Sequence, residues 1–365
     1  MFRSLLALLT CATLTACVDR SVTETLPEAL RFGTPATVFA STTRAREPDG
    51  SYGFRRAEAL RYLEMTISIP PNHTAGTLDF SYADPNPKKE FVLADVTEFS
   101  GPQGLRSRLK GVDDVVLFVH GYNATQTETA FRAAQLTHDV GVPGTTFIYS
   151  WPSQARGTGY AYDLDSMLFA RDGLENTIRS LKAMGVKRVI VMAHSMGGAL
   201  TMEMMRQAEL REPGWSKRNI EGVVLISPDL DVDLFRSQMQ SIKSLPDPFV
   251  VMVSKKDKVL GLSARLRGTS DGQRLGNITD AETLTEFPIK IIDTTAFSND
   301  AESSHFVAAT SPALLTLLSS ARRVSSTFGP DRPAIDVLAP PSLTNPSGAT
   351  EIVLTESGAT QVTSP

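Results

Sequence analysis

The stretch whose reading decides the fold is RVIVMAHSMGGAL, residues 188–200. Its first seven residues are rich in β-branched and apolar side chains, as expected of a short strand buried on both faces. The residues after Ser195 read as a helix. Ser195 stands at the junction, with Ala193 two positions before it, Gly197 two positions after it and Gly198 beyond. A strand that turns directly into a helix crowds these flanking positions, so only small side chains fit there. The same turn projects the serine oxygen from the C-terminal edge of a sheet. Glycine is usual at the first small position, and Ala193 adds only a methyl group. A hydroxyl in an ordinary strand-to-helix turn has the same local pattern, so the rest of the chain must decide what Ser195 is for.

Outward from this stretch, strands alternate with helices. VVLFVH (115–120), TTFIYSW (145–151), GVVLIS (222–227), FVVMVS (249–254) and IKIIDTT (289–295) read as further strands. Helices are expected near 127–140, 162–184, from the serine to about 211, and near 233–243, 260–267 and 311–322. On the second of these, Met167, Ala170, Leu174, Ile178 and Leu181 share one face, and Gly185 stops it. Such alternation means a mostly parallel sheet with helices on both faces. Three strand-like runs precede any helix: TVFASTTR (37–44), RYLEMTISIPP (61–71) and FVLADVTEF (91–99). They are expected to form antiparallel edge strands. The fold class is therefore α/β, with an N-terminal antiparallel edge.

A serine needs a base to act as a nucleophile at neutral pH. Of the five histidines, only His305 follows Ser195 in the chain, the order known for folds that carry a nucleophilic serine on such a turn. It sits in the polar loop SNDAESSHFVAA, before the last expected helix. His194 is expected to pack beside the turn, and His73 and His138 at the surface. A carboxylate must orient the base. Asp257, ending FVVMVSKKD, has the right place in chain order. Asp231 is the alternative acid, in SPDLDVD with Asp229 and Asp233, while Asp293 should lie inside a strand. Backbone donors for an oxyanion are expected from Met196, after the serine, and from Tyr122, after the His120-Gly121 pair that ends VVLFVHG; Asn123 is a further possibility.

With these residues in view, the chain resembles the α/β-hydrolase superfamily over residues 36–322. More narrowly, it is similar to a family of uncharacterised bacterial α/β-hydrolases through VFASTTR, SIPPNH, FVHGYN, YSWPSQ, AHSMGG, SPDLDVDLF and HFVAATSP. The resemblance implies a Ser195–His305–Asp257 triad and an esterase- or lipase-like activity without a cofactor or metal. It implies no particular substrate. Only about 20 residues separate GVVLIS from FVVMVS, so no large lid is expected. The mouth should then be shaped by Trp151, the 152–165 loop and the N-terminal strands, an open site suited to short acyl esters.

The N-terminus carries its own message. In MFRSLLALLTCATLTAC, Arg3 precedes an apolar stretch too short to span a bilayer, which reads as a secretory signal. Its end, Leu14-Thr15-Ala16-Cys17, resembles the lipobox of bacterial lipoproteins, in which Cys17 would carry lipid. Several acyl chains on one residue anchor a protein stably. Val18 follows Cys17, with Asp19 one place later, which favours the outer membrane facing the periplasm. The other cysteine, Cys11, leaves with the signal, so the mature domain is expected to hold no thiol. The expected organisation is a signal peptide (1–16), a lipidated Cys17 and tether (17–35), the hydrolase domain (36–322) and a disordered tail rich in Pro, Ser and Thr (323–365). Within that tail EIVLT could make a lone strand with nothing obvious to pair with it.

Composition excludes little else. The 365 residues hold 36 basic and 40 acidic side chains, a net charge of −4, with no basic excess of the kind nucleic-acid binding requires. The expected partners are a small ester or acyl substrate and a membrane reached through the N-terminal lipid. A carboxylesterase is the first expectation. An envelope acyltransferase using the same residues, or a non-catalytic binding lipoprotein, are the alternatives.

Overall fold

Three long antiparallel strands come first: β1 (Thr34–Arg46), β2 (Tyr52–Ile69) and β3 (Val92–Phe99). A computed structural model of the protein describes residues 20–142, 144–268, 273–279, 281–299, 305–316, 349–354 and 360–363. The expected signal peptide, Cys17 and residues 323–348 of the expected tail lie outside the described residues.

After α1 (Pro102–Arg108), strands and helices alternate. They run β4 (Asp114–Val119), α2 (Gln126–Val140), β5 (Thr145–Ser150), α3 (Tyr160–Met184), β6 (Arg188–His194) and α4 (Met196–Arg211). Then follow α5 (Trp215–Asn219), β7 (Gly222–Ile226), α6 (Val232–Ser241), β8 (Phe249–Val253), α7 (Lys258–Leu266), β9 (Lys290–Asp293) and α8 (Val307–Thr310). Residues 312–316 are also helical. The helix boundaries have local causes. Thr125 and Glu128 form a reciprocal capping box at the start of α2, and Gly141 and Gly185 end α2 and α3 in the left-handed region.

The strands of the described residues, including β10 (Thr350–Leu354) and β11 (Thr360–Thr363) near the C-terminus, belong to one sheet in the order β11-β10-β9-β8-β7-β6-β4-β5-β1-β2-β3. Pairing is parallel from β1 through β5, β4, β6, β7 and β8 to β9. The central strands are apolar on both faces because both are covered. Val115, Leu117 and Val119 pack with Leu174, Ile178 and Leu200 on one side. Val116 and Phe118 pack with Phe131, Ala134 and Phe306 on the other. The period of two along a strand divides the side chains between these two layers. Each fully buried aliphatic side chain stabilises the fold by roughly 1.5–3 kcal/mol.

Two expectations about the ends need correction. Residues 20–35 do not form a free tether. Leu26 donates to Leu93, residues Pro27–Arg31 form a 3-10 turn that buries Ala29, and β1 already begins at Thr34. Polar composition suggested a solvated linker, but Arg20 is held by charged and carbonyl groups that lie far away in the chain. Nor is the tail without paired structure. β10 (Thr350–Leu354) adds in parallel to β9, with Ile352 opposite Ile292, and β11 (Thr360–Thr363) pairs antiparallel to β10. The open edge of β9 supplies the partner that the local sequence lacks. Alternate residues Ile352 and Leu354 are buried. Ile352→Ala should therefore lower the unfolding free energy by about 2–4 kcal/mol in urea titration; an unchanged midpoint would show that the strand contributes nothing.

Candidate active site

β4 and β6 are neighbours at the centre of the sheet, and their chains leave in opposite directions, towards β5 and β7. A crevice opens at the C-terminal ends of strands where the order reverses in this way. Gly121 follows β4 and Ser195 follows β6, so both stand at its edge.

Ser195 has φ 53° and ψ −123°, a conformation that side chains other than glycine rarely adopt. Its neighbours over-determine it. The Ser195 N–H donates to Ile226 O at 3.0 Å, and its carbonyl accepts from Gly198 at 2.9 Å and Asp229 at 3.1 Å. Space enforces the small residues nearby. A Cβ on Gly197 would lie 2.4 Å from the His120 carbonyl oxygen, and one on Gly121 would lie 2.8 Å from Ser195 Cβ.

The structure brings Ser195, His305 and Asp257 together. His305 Nε2 is 2.8 Å from Ser195 Oγ, and His305 Nδ1 is 2.7 Å from Asp257 Oδ2. The Asp257 side chain is wholly buried. Its other oxygen, Oδ1, accepts from the N–H groups of Val259 and Leu260 and so caps α7. The alternative acid is not brought to His305. Asp231 caps α6 by accepting from Leu234 at 3.1 Å, and its side chain is 41% exposed. Asp229 turns elsewhere too. It is buried against Arg274 at 2.8 Å and also accepts from Tyr160 and Ser263. Burial works to raise the Asp229 carboxyl, but Arg274 and these donors hold it below the usual range.

Two further histidines support the site. The His194 ring stacks on Phe306 at 3.9 Å, and Nε2 donates to the His305 carbonyl at 3.2 Å. Burial, and then the neighbouring His305, push His194 well below its ordinary value, so it is neutral. His120 stacks on Trp151 at 4.7 Å. Burial and the nearby Arg44 push it down to about 3, against the opposing influence of two carbonyls facing its ring nitrogens. Trp151 is itself fully buried and cannot shape the mouth as expected. His73 also departs from expectation: its ring is mostly buried and pairs with Asp139 at 2.6 Å.

The loop after Gly121 is tied by three side chains, those of Asp163, Arg20 and Arg44. Asn123 N donates to Asp163, which removes Asn123 as a backbone donor to a ligand. Arg20 donates to Asn123 Oδ1 at 2.8 Å and to Ala155 O at 2.6 Å. Arg44, fully buried, donates to Ala124 O at 2.7 Å, Gly53 O and Ser153 O, and to the Ser150 hydroxyl. Asp163 also accepts from Ser153 and Gln154. Burial lowers Arg44 only to about 10, so it keeps its charge at neutral pH. Among the described residues, the N–H groups of Tyr122 and Met196 have no acceptor. That of Met196 lies in the first turn of α4, where helix geometry leaves donors unpaired.

A cavity of about 280 Å3 lies beside this loop, lined by Gly121, Tyr122, His194, Leu78, Phe80 and Phe306 among others. Tyr122 also packs edge-on against Tyr160 at 5.4 Å. The Tyr160 hydroxyl bonds Ser263 of α7 at 2.7 Å and Arg267 at 2.7 Å. The stretch 157–163 is thus held by α7, and only α6 fills the connection from β7 to β8. Arg44, Asp163, Tyr160 and the Asp229–Arg274 pair carried no local sequence signal, because each acts on segments distant in the chain.

The family described as "Alpha/beta hydrolase of unknown function (DUF900)" matches residues 98–322. No curated protein matches the chain. Among solved structures, a dienelactone hydrolase from Anabaena variabilis is similar at 13% identity, over 73% of this chain and 90% of that one, with a TM-score of 0.36. An esterase from the archaeon Pyrobaculum calidifontis is similar at 12% identity, over 84% and 85%, with a TM-score of 0.32. Brefeldin A esterase, a bacterial homologue of human hormone-sensitive lipase, is similar at 14% identity over 69% of each chain, with a TM-score of 0.33.

The two buried neutral histidines make stability depend on pH. An unfolded histidine takes its proton near pH 6.5. Folded His120 and His194 do not, so the unfolded state binds more protons as pH falls below that value. Stability is then lost with acidification. His120 alone should cost about 2 kcal/mol between pH 7 and pH 5, and His194 acts in the same direction. Urea unfolding at pH 7, 6 and 5 measures this. His120→Gln, though less stable overall, should show a shallower slope, and a flat profile in the parent protein would contradict the assignment.

Proposed function

The chain belongs to a family of α/β-hydrolases of unknown function (DUF900), and on that premise we propose that it is a serine hydrolase, in the first place a carboxylesterase, held at the cell envelope by lipid on Cys17. The observation that carries this reading is the continuous line of hydrogen bonds from Ser195 Oγ through His305 to Asp257, at 2.8 and 2.7 Å. His305 Nε2 takes the serine proton as Oγ attacks an ester carbonyl. Asp257 holds the Nδ1–H tautomer and stabilises the imidazolium that forms. The neutral His194 adds no repelling charge beside that imidazolium. The N–H groups of Met196 and Tyr122 receive the oxyanion. Collapse of the tetrahedral adduct expels the alcohol, which takes the proton from His305. Water then repeats the sequence and releases the acid.

The shape of the site supports small esters. The cavity beside Gly121 and His194, at about 280 Å3 and walled by Phe80, Phe118 and Phe306, suits a short acyl group. The lipid anchor rests on the Leu14–Cys17 sequence and would place the enzyme at the outer membrane, facing the periplasm.

A fluorophosphonate probe tests the nucleophile. It should label the wild type, not Ser195→Ala, and His305→Ala slower by roughly a thousandfold or more. A folded wild type that resists the probe would point instead to a binding lipoprotein.

The acid is tested by two substitutions. Asp257→Asn keeps an oxygen for the α7 cap but faces His305 with the wrong tautomer. It should lower kcat by roughly 10⁴. Asp231→Ala should cost about 1 kcal/mol of stability through its lost cap and leave kcat in place. The opposite ranking would move the acid to Asp231.

A further inference from the structure

We propose that α7 is a docking helix whose exposed face rests on an anionic lipid surface and holds the mouth of the site against it. The helix reads KVLGLSARL. Leu260, Ser263 and Ala264 face the protein. Val259, Leu262 and Leu266 do not. They are 46%, 57% and 64% exposed, and their spacing of three and four residues sets them in one stripe. Single exposed leucines are common on soluble proteins, but an aligned apolar stripe marks a contact surface. The charged residues of the helix, Lys258 and Arg265, are both exposed and both positive, and the helix holds no acid. An apolar stripe on a helix whose own charges are both positive complements a bilayer carrying negative headgroups.

The position of the helix agrees. Asp257 caps its N-terminus while bonding His305, and Ser263 on its inner face bonds Tyr160, which packs on Tyr122. The N-terminus and inner face of α7 are therefore tied to residues at the crevice that holds Ser195, and its outer face is turned to solvent on the same side of the molecule. The Tyr122 hydroxyl donates to Arg156 O, and Arg20 donates to the preceding carbonyl, Ala155 O. Arg20 follows Cys17 by three residues, a span of at most about 11 Å. If Cys17 carries lipid, as the proposed function holds, the anchor enters the bilayer on the same edge of the sheet as α7. That second argument rests on the lipoprotein reading; the stripe on α7 does not. Docking of this kind presents the crevice to esters at the bilayer surface. It need not switch the enzyme on, since Ser195 and His305 are already bonded.

The test uses the full chain on vesicles of phosphatidylglycerol and phosphatidylethanolamine, with or without brominated acyl chains. Trp151 and Trp215 are fully buried and give a constant background. Leu262→Trp reports on α7. Leu210→Trp, on a side chain 62% exposed near the end of α4, reports on a surface that a tether alone would leave in water. The expected result is a blue shift and strong quenching of Leu262→Trp by brominated lipid, weakened in 1 M salt, with Leu210→Trp unaffected. Equal quenching at both positions, or none at position 262, overturns the proposal. So does a blue shift of Leu262→Trp that appears without vesicles as protein concentration rises, because a second copy would then cover the stripe. Fluorophosphonate labelling of the same variants reports separately on Ser195, and mass analysis of Cys17 reports on the lipid. Failure of either leaves the quenching result to stand on its own.

Discussion

The backbone of Ser195 is the constraint on which the site depends. A non-glycine residue at φ 53° costs on the order of 1–3 kcal/mol and persists only where its surroundings leave no alternative. Here β7 holds its N–H, the start of α4 and Asp229 hold its carbonyl, and Gly121 and Gly197 approach so closely that a methyl on either would collide. The turn therefore couples β4, β6, β7 and α4 into one rigid unit. It explains why a strand of short apolar residues passes abruptly into a helix beginning Met-Gly-Gly.

Buried charge organises the opposite wall. Arg44 and Asp163 lie on β1 and α3, and both are completely enclosed. Each would be costly alone. Between them they satisfy carbonyls and N–H groups of the loops at 121–124 and 151–154. They occupy the Asn123 N–H and the Ala124 carbonyl, while the Tyr122 N–H has no acceptor among the described residues. The N-terminal antiparallel strands are thus more than an edge on the sheet. They deliver the arginine that sets the loop facing Ser195.

Asp257 links chemistry to surface. One carboxylate oxygen faces His305 and the other caps α7, so the orientation of the acid and the placement of the helix are one arrangement. The same carboxylate caps a nine-residue helix that has an internal glycine and turns an apolar stripe outward. Tyr160 of α3 braces it through Ser263 and through Arg267 at its C-terminus.

Much of the sheet was legible in the chain, because helix and strand periods differ and the alternation was long. Ser195 could be singled out from its small neighbours, and His305 and Asp257 from chain order. Other features depended on partners distant in sequence. Residues 20–35 and 350–354 look unpartnered by composition, yet a guanidinium site and an open strand edge receive them. Trp151 looks available to the mouth until His120 is stacked upon it. Asp231 and Asp257 both follow strands in similar local settings, and only the placement of the strand ends decides which carboxylate meets the imidazole. The sequence by itself determined the layered α/β architecture and the residue types at the crevice, since these follow from periodicity and steric size. The tertiary structure alone decided which donors remain free, which acid faces His305 and which helix borders the mouth, because those depend on distances between segments that the chain order does not contain.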